Sequence, residues 1–299
     1  MNNNYENAVC NRYEFVLLYD VENGNPNGDP DAGNMPRLDP ETGHGIVTDV
    51  CIKRKIRNYV QTRHASEFGF DIYIRQDAVL NQQDQIGLDT VKDEKDKAKK
   101  SMGFRAAMCE RFFDIRAFGA VMTTAATDKT LSNVAGQVRG PVQLAFGRSI
   151  EPIMPRDVTI TRMAAASEKE NQSNMTMGRK SIIPYGLYRQ EGYISANLAR
   201  SITGFSDNDL EIFWDALIHM FDDDRSAARG KMALRELVVF KHDSSFGNAA
   251  AHKLFERVNV LRKGSVDVPR SYADYDVLIN ENNLPEGVTL ERKYRDDDD

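Results

Sequence analysis

The chain has 299 residues, of which 41% are hydrophobic and 28% charged, and this composition is typical of a soluble globular protein. No apolar stretch reaches the length of a membrane span, and the Asn-rich start lacks the basic and apolar regions of a signal peptide. The three cysteines, Cys10, Cys51 and Cys109, are too far apart for a Cys-X-X-Cys metal site and suit a reducing compartment. We therefore expect a cytoplasmic protein with no membrane partner.

The formal net charge is −6, but it argues only weakly against a polyanionic partner because the acidic residues are concentrated in two runs. Asp222–Asp224 and Asp296–Asp299 together carry more negative charge than the whole-chain excess, so the rest of the chain is close to neutral. Residues 48–64 hold several cations against Asp49 alone. These cations are Lys53, Arg54, Lys55, Arg57 and Arg63. Such a patch attracts a polyanion through its local field, whatever the total charge.

The first predicted elements are a strand, a long polar loop and a helix. Residues 13–22 alternate as a strand with apolar side chains on both faces, which predicts a strand in the middle of a sheet. Residues 23–47 are rich in Gly, Pro, Asn and Asp and predict a loop. Thr48 is suited to cap a helix that continues to about His64, with apolar residues along one side.

The rest of the chain predicts a helical insertion, then strands and one further helix. Large apolar residues at helical spacing follow a mixed-charge run, so we interpret residues 67–135 as mainly helical. Ser206 is suited to cap a helix to Phe221 whose apolar stripe belongs in a core, with Asp222–Asp224 as its solvated end. The predicted strands are Pro141–Ile150, Asp157–Thr161, Ile182–Leu198 interrupted by glycines, Glu236–Lys241, Leu254–Leu261, Asp276–Ile279 and Val288–Arg292. The order strand, helix, strand, strand, helix, strand predicts an α+β fold with a ferredoxin-like or RRM-like sheet.

The loop at 24–45 admits three interpretations. Its glycines let backbone amides approach a phosphate closely, although it contains neither a Walker motif nor a dinucleotide fingerprint. Its acidic residues, together with the acid of the preceding strand, would suit a metal-dependent nuclease; they are Asp20, Asp29, Asp31 and Asp39. An ordinary solvated turn also uses Gly, Asn, Asp and Pro.

Two further segments carry cations. Lys53, Arg54 and Arg57 occupy neighbouring positions on the predicted helix, where they would either hold phosphates or form an ordinary solvated flank. The segment 161–180 combines cations with methionines, which suit either wedging against bases or packing against a neighbouring subunit. The histidines show no ligand spacing, and no serine stands in a nucleophile elbow, so we predict neither a metal site nor a hydrolase triad.

Five motifs, in order along nearly the whole chain, resemble those of a known family. They are Gly24-Asn-Pro-Asn-Gly-Asp-Pro-Asp31, Asp114-Ile-Arg-Ala-Phe-Gly-Ala-Val-Met122, Gly140-Pro-Val-Gln143, Gly178-Arg-Lys-Ser-Ile-Ile-Pro-Tyr-Gly186 and Phe240-Lys-His-Asp243. Together they resemble the backbone subunit, of the RAMP superfamily, in the type I-C CRISPR-associated Cascade surveillance complex.

This resemblance implies an RRM-like palm, a helical fingers insertion and a protruding thumb hairpin. On this sequence the palm would take residues 1–66, 136–160 and 186–299, the last including the acidic tail. The fingers would be residues 67–135 and the thumb residues 161–185.

The resemblance also implies binding without chemistry, with no cofactor and no metal. Copies of the chain would polymerise head to tail along a guide CRISPR RNA (crRNA), form the helical backbone of a type I-C Cascade complex, and present the guide for pairing with a target DNA strand in antiviral defence. Its other partners would be the large subunit, the small subunit and the RNA-processing end subunit of that complex. The expected RNA-binding residues are Asn25, Asn27, Lys53, Arg54, Arg57, Gln143, Arg162, Met163, Met175, Met177, Arg179 and Lys180.

An enzyme is the alternative that the resemblance leaves open. Related subunits of type III complexes cut target RNA with an aspartate in the corresponding first loop, so a metal-dependent ribonuclease would use Asp29, Asp31 or Asp39. No RNP-type aromatic signature stands on a predicted central strand, so we do not expect stacking of bases on the sheet to be the main mode of binding.

Overall fold

In a computed structural model, which describes residues 5–122, 131, 135–161 and 177–296, the chain builds a large antiparallel sheet with helices on its faces. The strands are β1 (Tyr13–Gly24), β2 (Gly28–Asp29), β3 (Met35–Pro36), β4 (His44–Val47), β5 (Gly119–Val121), β6 (Gln137–Arg139), β7 (Val142–Leu144), β8 (Gly147–Pro152), β9 (Arg156–Thr161), β10 (Met177–Ile194), β11 (Lys231–His242), β12 (Val258–Arg262), β13 (Tyr275–Ile279) and β14 (Val288–Arg295). The helices are α1 (Asp49–Arg63), α2 (Leu80–Thr90), α3 (Lys97–Arg111), α4 (Phe113–Phe118), α5 (Ala196–Leu198), α6 (Asp207–His219) and α7 (Ala251–Phe255). Short 3-10 turns cover Pro30–Ala32 and Tyr272–Asp274, and a π-helical turn, Ala199–Thr203, follows α5.

Strand β1 lies in the middle of the sheet, as its two apolar faces predict. The strand order is β14-β11-β1-β10-β8-β4, with β7 and β9 also paired to β10. Phe15, Leu17 and Tyr19 are buried on one face, and Val16 and Leu18 on the other. Because successive side chains of a strand point to opposite faces, one apolar strand supports a core on each side of the sheet.

Helices α1 and α6 cover the first face. The ring of Trp214 on α6 meets that of Phe15 edge-on, with centroids 5.2 Å apart. The core stripe predicted for the helix at 206–221 is confirmed, and α6 begins with a capping box in which Ser206 and Asp209 exchange hydrogen bonds. The cap fixes where α6 starts, and the stripe fixes which side of it contacts the sheet.

The opposite face is covered by α7 and by the hairpin β12–β13. Leu254 and Phe255 of α7 pack with Tyr275 of β13 against Val16 and Leu18. The strand predicted at 254–261 is therefore wrong in its first part, where the chain is helical. A short apolar run does not by itself distinguish a buried helix turn from a strand.

The insertion at 67–135 is mainly helical where the structure describes it, as predicted. Helices α2, α3 and α4 surround a separate cluster that includes Phe104, Met108 and Phe112. Within the insertion, β5 pairs with β6, which lies just beyond its predicted end. Arg116 anchors it to α6 through two hydrogen bonds to the Asp209 carboxylate, of 2.6 and 2.9 Å.

Two further predictions about regular structure were wrong. Residues 23–47 are not all loop, because β2 pairs with β3 and β4 joins the large sheet through β8. Strand β10 is continuous rather than interrupted by its glycines. A Cβ at Gly192 would lie 2.1 Å from the ring of Phe15, so this glycine makes room for the core instead of ending the strand.

Strand β9 pairs with the start of β10, from Arg156 opposite Ile182 to Thr161 opposite Met177. Most of β9 lies in the segment predicted as palm, whereas Thr161 and the paired start of β10 lie in the predicted thumb, of which residues 162–176 are outside the described residues. None of the helices in the described part of the chain has the length and apolar character needed to span a bilayer.

Candidate nucleic-acid interface

A cleft of about 930 Å³ opens beside the start of α1. Its walls are the loop after β1, the first turns of α1, residues 74–76 at the start of the insertion, and residues of the segment 226–229. Four of the expected RNA-binding residues line it, namely Asn25, Asn27, Arg54 and Arg57. The tertiary structure therefore joins the Gly-rich loop and the basic helix in one cavity and adds two segments that we did not predict.

Asn27 fixes the Gly-rich loop to the start of α1. Its Oδ1 accepts hydrogen bonds from the backbone N–H and the hydroxyl of Thr48, both of 2.9 Å. Thr48 occupies the N-cap position, as predicted, but its side chain caps no amide of the helix. Val50 and Cys51 of the first turn line the cleft. The N–H of Cys51 already donates to the carbonyl of Thr48 at 3.1 Å. The helix start favours an anion through its dipole and through first-turn amides that no side chain caps.

Asn25 is 8% exposed and is held at its backbone and at its side chain. Its N–H donates to the carbonyl of Ala228 at 2.8 Å, and its Nδ2 donates to the carbonyl of Asn34 at 2.7 Å. Its Oδ1 is buried and accepts no hydrogen bond from the described residues. A buried acceptor left without a donor costs about 1–3 kcal/mol. A ligand hydroxyl that donates to this oxygen would remove that cost once a small shift of the surrounding side chains exposes the oxygen.

Arginines supply the charge of the cleft; they are Arg37, Arg54, Arg57, Arg75 and Arg229. Arg54 and Arg75 are exposed, and no carboxylate of the described residues forms an ion pair with either. The guanidinium of Arg54 donates only a long hydrogen bond, 3.4 Å, to Gln76 within this part of the chain. These two positive charges are therefore available to a ligand.

Arg57 has a different role, because it holds the insertion against α1. Its Nε donates to the carboxylate of Asp114 at 2.7 Å. Asp114 is 1% exposed and also accepts from the backbone N–H groups of Tyr73 and Ile74, at 2.7 and 3.0 Å. This contact brings residues 74–76, including Arg75, to the edge of the cleft. The charge of Arg57 is largely neutralised as a result.

The basic helix face predicted from the sequence is divided among different neighbours. Lys53 does not line the cleft; its Nζ lies 3.0 Å from a carboxylate oxygen of Asp49. Lys55 is buried and pairs with Asp224, which also binds Arg229 at 2.8 Å. Asp224 is therefore not the solvated helix end that we predicted, whereas the two acids before it are exposed. Each helical residue turns by about 100°, so adjacent cations point in different directions.

Gln143 lies in a neighbouring depression of about 390 Å³, beside β5 and β6. Its Nε2 donates to the carbonyl of Gly140 at 3.1 Å. Phe118 forms part of the same depression, and the charged groups of Lys53 and Arg57 lie 5.6 and 5.2 Å from the centre of its ring. Arg57 and Phe118 therefore connect the depression with the cleft along α1.

The other expected residues that the structure describes lie at the start of β10, where it pairs with β9. Lys180 donates to the carbonyl of Ala227 at 2.9 Å, which ties the base of the hairpin to the segment that lines the cleft. Arg179 is exposed on β10. Met177 is the first residue of β10, and nothing is described of its side chain. Arg162, Met163 and Met175 lie outside the described residues.

The loop aspartates do not converge. Asp29 caps the following 3-10 turn by accepting from the N–H of Asp31. Asp39 accepts a hydrogen bond of 2.8 Å from the hydroxyl of Thr42. That bond, the N–H of Glu41 and the neighbouring Arg148 lower the pKa of Asp39. Over the described ranges, no three His, Cys, Asp or Glu side chains gather as metal ligands.

Asp20, the acid of the preceding strand, belongs to a different buried group. It is 3% exposed, and its carboxylate accepts from Arg235 at 3.0 Å and from the hydroxyl of Tyr185 at 3.1 Å. Burial raises the pKa of Asp20, and Arg235 opposes this shift. Arg235 in turn binds Asp296, the first residue of the acidic tail. Asp20 therefore anchors the end of β14 rather than facing the cleft.

Sequence reasoning missed Arg75 and the segment 226–229. No local pattern marks either of them, because both reach the cleft through long-range contacts. The contact of Arg57 with Asp114 positions Arg75 at the cleft, and the contact of Asn25 with Ala228 positions the segment 226–229 there.

Known proteins match this chain over most of its length. The family model described as "CRISPR-associated protein Cas7" matches residues 11–280. A relative from Haloferax volcanii, described as "CRISPR-associated protein Cas7", is 28% identical over 307 residues, which cover 95% of this chain and 84% of the relative.

Solved structures are more distant. One, titled "CRISPR RNA-guided surveillance complex", has a TM-score of 0.46 at 13% identity, covering 77% of this chain and 68% of that chain. Another, "Cryo-EM structure of the Type III-B Cmr-beta bound to cognate target RNA", has a TM-score of 0.42 at 10% identity, covering 77% of this chain and 61% of that chain.

Proposed function

This chain belongs to the CRISPR-associated protein Cas7 family, and we propose that it is a non-catalytic subunit that binds a guide CRISPR RNA. Copies polymerise head to tail along the guide and form the helical backbone of a type I-C Cascade complex, which acts in the cytoplasm in antiviral defence. The complex presents the guide for pairing with a target DNA strand. The arginine cleft beside α1 is the observation that carries the proposal.

The chemistry of the cleft suits a phosphodiester backbone. Arg54 and Arg75 supply positive charge that no carboxylate of the described residues pairs with, and the start of α1, whose N-cap side chain caps no amide, supplies the positive end of a helix dipole. Contacts of this kind hold phosphates whatever the base sequence. A backbone subunit needs this property, because base pairing reads the target while the protein holds the guide.

The buried oxygen of Asn25 adds a preference for ribose. An amide oxygen accepts a hydrogen bond from a 2′-hydroxyl, which DNA lacks. Because Asn25 is fixed by Ala228 and Asn34, its oxygen is oriented before a ligand arrives. We therefore assign the cleft to the guide RNA and the pairing with target DNA to the guide itself.

The bound strand would follow α1 out of the cleft. Arg57 and Phe118 link the cleft to the depression that contains Gln143, so the path passes from the Gly-rich loop toward β6 and β7. At the other end of the cleft, Lys180 connects the β9–β10 hairpin to the segment 226–229 through its hydrogen bond to Ala227. This path is compatible with the expected contacts at Gln143, Arg179 and Lys180.

We assign the palm to residues 1–66, 136–160 and 186–299, the fingers to 67–135 and the thumb to 161–185. The separate hydrophobic cluster of the insertion supports the fingers. All residues of β9, the strand that leads into the proposed thumb, are exposed, which supports a hairpin that extends away from the sheet toward a neighbouring subunit. The other type I-C partners are the large and small subunits and the RNA-processing end subunit.

The double variant Arg54→Glu/Arg75→Glu tests the proposal. When the variant is produced together with its guide, we expect co-purifying RNA to be lost, measured as the ratio of absorbance at 260 and 280 nm, with the thermal midpoint unchanged. The control Lys92→Glu/Lys95→Glu makes the same change in net charge on exposed residues of the α2–α3 connection and should retain RNA. Equal RNA in both double variants at moderate salt would reject the proposal.

Absence of catalysis has its own test, because loop aspartates in type III relatives cut RNA. We expect the assembled particle to leave complementary RNA intact in Mg²⁺, because Asp29, Asp31 and Asp39 do not form a three-ligand cluster in the described part of the chain. Periodic cleavage that is lost in an Asp→Ala variant at one of these positions would establish the ribonuclease instead.

A further inference from the structure

Phe246 stands at the tip of the loop 243–250 and is 78% exposed, yet the loop is firmly held. Nη1 of Arg12 donates to the carbonyl of Phe246 at 2.9 Å, and the N–H of Asn248 donates to Nδ1 of the buried His242 at 2.8 Å. Gly247 has a φ of +89°, and a Cβ there would lie 2.9 Å from the side chain of Arg12. An aromatic side chain on an ordered loop loses little conformational entropy on binding, as an interface anchor should.

A mainly apolar socket of about 300 Å³ lies between β8, β10 and the connection from β12 to β13. Ile153, Leu187 and Pro269 line it, together with Met154 and Val268, which are 79% and 60% exposed. An apolar cavity of roughly 150 Å³ is enough to hold benzene. The socket therefore has room for one phenyl ring.

Loop and socket lie at opposite ends of β1 and on the same side of the sheet. The loop begins two residues after Lys241, which is paired with Tyr13 at the start of β1. On β10, the socket residue Leu187 is paired with Asp20 near the end of β1. At about 3.3 Å per residue, the two ends are roughly 25 Å apart. One copy cannot bring them together, whereas a second copy displaced along β1 can.

The charges beside the two features are opposite. Asp243, three residues before Phe246, is exposed, and the cation beside Phe246, Arg12, is already paired with Glu14. Arg156 and Arg270 line the socket, are exposed, and form no ion pair within the described ranges. The acid of the socket, Glu151, is already paired with Arg262 at 3.3 Å. Opposite charges around an apolar contact orient two partners as they approach.

We propose that Phe246 of one copy inserts into the socket of the next copy, with Asp243 facing Arg156 and Arg270. The inference rests on the proposed function, because it specifies how adjacent copies contact each other along the guide. The contact joins two different surfaces of the same chain, so it does not close into a dimer and repeats along a filament.

Cross-linking tests the contact directly. Ser245→Cys places a thiol beside Phe246, and Val268→Cys places one at the rim of the socket, in a background with the exposed Cys10 replaced by serine. With guide RNA and a short bismaleimide, the double variant should give a ladder of linked copies, and a mixture of the two single variants should stop at dimers. Normal multi-copy particles that give no ladder would reject the contact.

Substitution at the tip of the loop gives the second test. We expect Phe246→Glu to raise the protein concentration needed for half-maximal assembly on full-length guide by tenfold or more. Phe68→Glu, which changes another exposed aromatic in the insertion, should assemble as the wild type does. Val268→Arg should repeat the defect from the socket side, which keeps the test valid if one variant is unstable.

A short RNA that fits one copy separates the possible failures. Its affinity should be unchanged by Phe246→Glu. A loss of affinity for it would mean that Phe246 contacts RNA, and it would overturn the inference. Normal assembly of Phe246→Glu would also overturn it while leaving the proposed function intact. Retention of RNA by Arg54→Glu/Arg75→Glu would instead count against the proposed function.

Discussion

Arg54 and Arg57 lie three residues apart on α1 and line the same cleft, yet their surroundings differ. Arg57 is held by the buried carboxylate of Asp114 and contacts the ring of Phe118. Arg54 is exposed and forms no ion pair in the described part of the chain. The comparison shows that neighbouring cations of one basic patch serve different purposes. A cation that pairs with a buried carboxylate stabilises the fold, whereas a cation without such a partner remains available to a ligand.

The largest expected effect is a difference in the free energy of unfolding between variants of the two arginines. Arg57→Ala leaves Asp114 buried without its cation, so we expect the free energy of unfolding to fall by about 3 kcal/mol. Arg54→Ala, the matched control, should change it by no more than about 0.5 kcal/mol. Urea denaturation of both variants measures the difference. Equal stability of the two variants would contradict the assignment of Arg57 to the fold and Arg54 to the ligand.

Lys55, a second cation of α1 that pairs with an acid, extends the same comparison. Lys55 pairs with Asp224, but Arg229 also binds that carboxylate, so Asp224 keeps one partner when Lys55 is removed. We expect Lys55→Ala to lower the free energy of unfolding by about 2 kcal/mol, less than Arg57→Ala. The exposed Lys95→Ala serves as the control. A larger loss than that of Arg57→Ala would mean that Arg229 does not compensate.

For RNA binding we expect the opposite order, in which substitution of the exposed arginines has a larger effect than substitution of the buried cations. Arg54→Ala and Arg75→Ala should each reduce the slope of log K against log salt by about 1, because each removes one phosphate contact. Affinity should fall to a similar degree for guides of different sequence. Titration of a fluorescent RNA at several salt concentrations measures both quantities. A slope equal to that of the wild type would show that the residue holds no phosphate.

The loop contributes a smaller effect. Asn27→Ala removes two hydrogen bonds to Thr48 at the start of α1, and we expect a loss of about 1 kcal/mol in unfolding free energy. Asn25→Ala provides a partial contrast, because it removes one hydrogen bond, to the carbonyl of Asn34, together with a buried oxygen that has no donor among the described residues. Loss of that oxygen should appear as weaker binding of RNA relative to DNA of the same sequence. Unchanged discrimination would remove the role assigned to its oxygen.

The smallest expected effect concerns pH. Because burial raises the pKa of Asp20, the folded state binds this proton more tightly than the unfolded state. The stability from this group is present below the ordinary aspartate pKa and is lost as pH rises through the raised value. Asp20→Asn removes the titration, so the stability difference between variant and wild type should shift in favour of the variant as pH rises from about 4 to 7. A difference that does not vary with pH would contradict the shift.

Local patterns predicted much of the fold. The two apolar faces of residues 13–22 placed β1 in the centre of the sheet, and the stripe at 206–221 placed α6 in the core. Prediction was wrong where pairing came from distant partners. Strand β4 has little pattern of its own and is held by β8, and Gly192 in β10 is explained only by the ring of Phe15.

For the site, the sequence by itself determined which chemical groups are present, because a Gly-rich turn followed by a cation-rich helix is visible in the order of residues. Only the tertiary structure decided which of these groups are available. Burial of Asp114 and Asp224 neutralises Arg57 and Lys55, while Arg75 reaches the cleft from the insertion. The physical reason is that the availability of a charge depends on the carboxylates and solvent around it, and folding brings these together from distant parts of the chain.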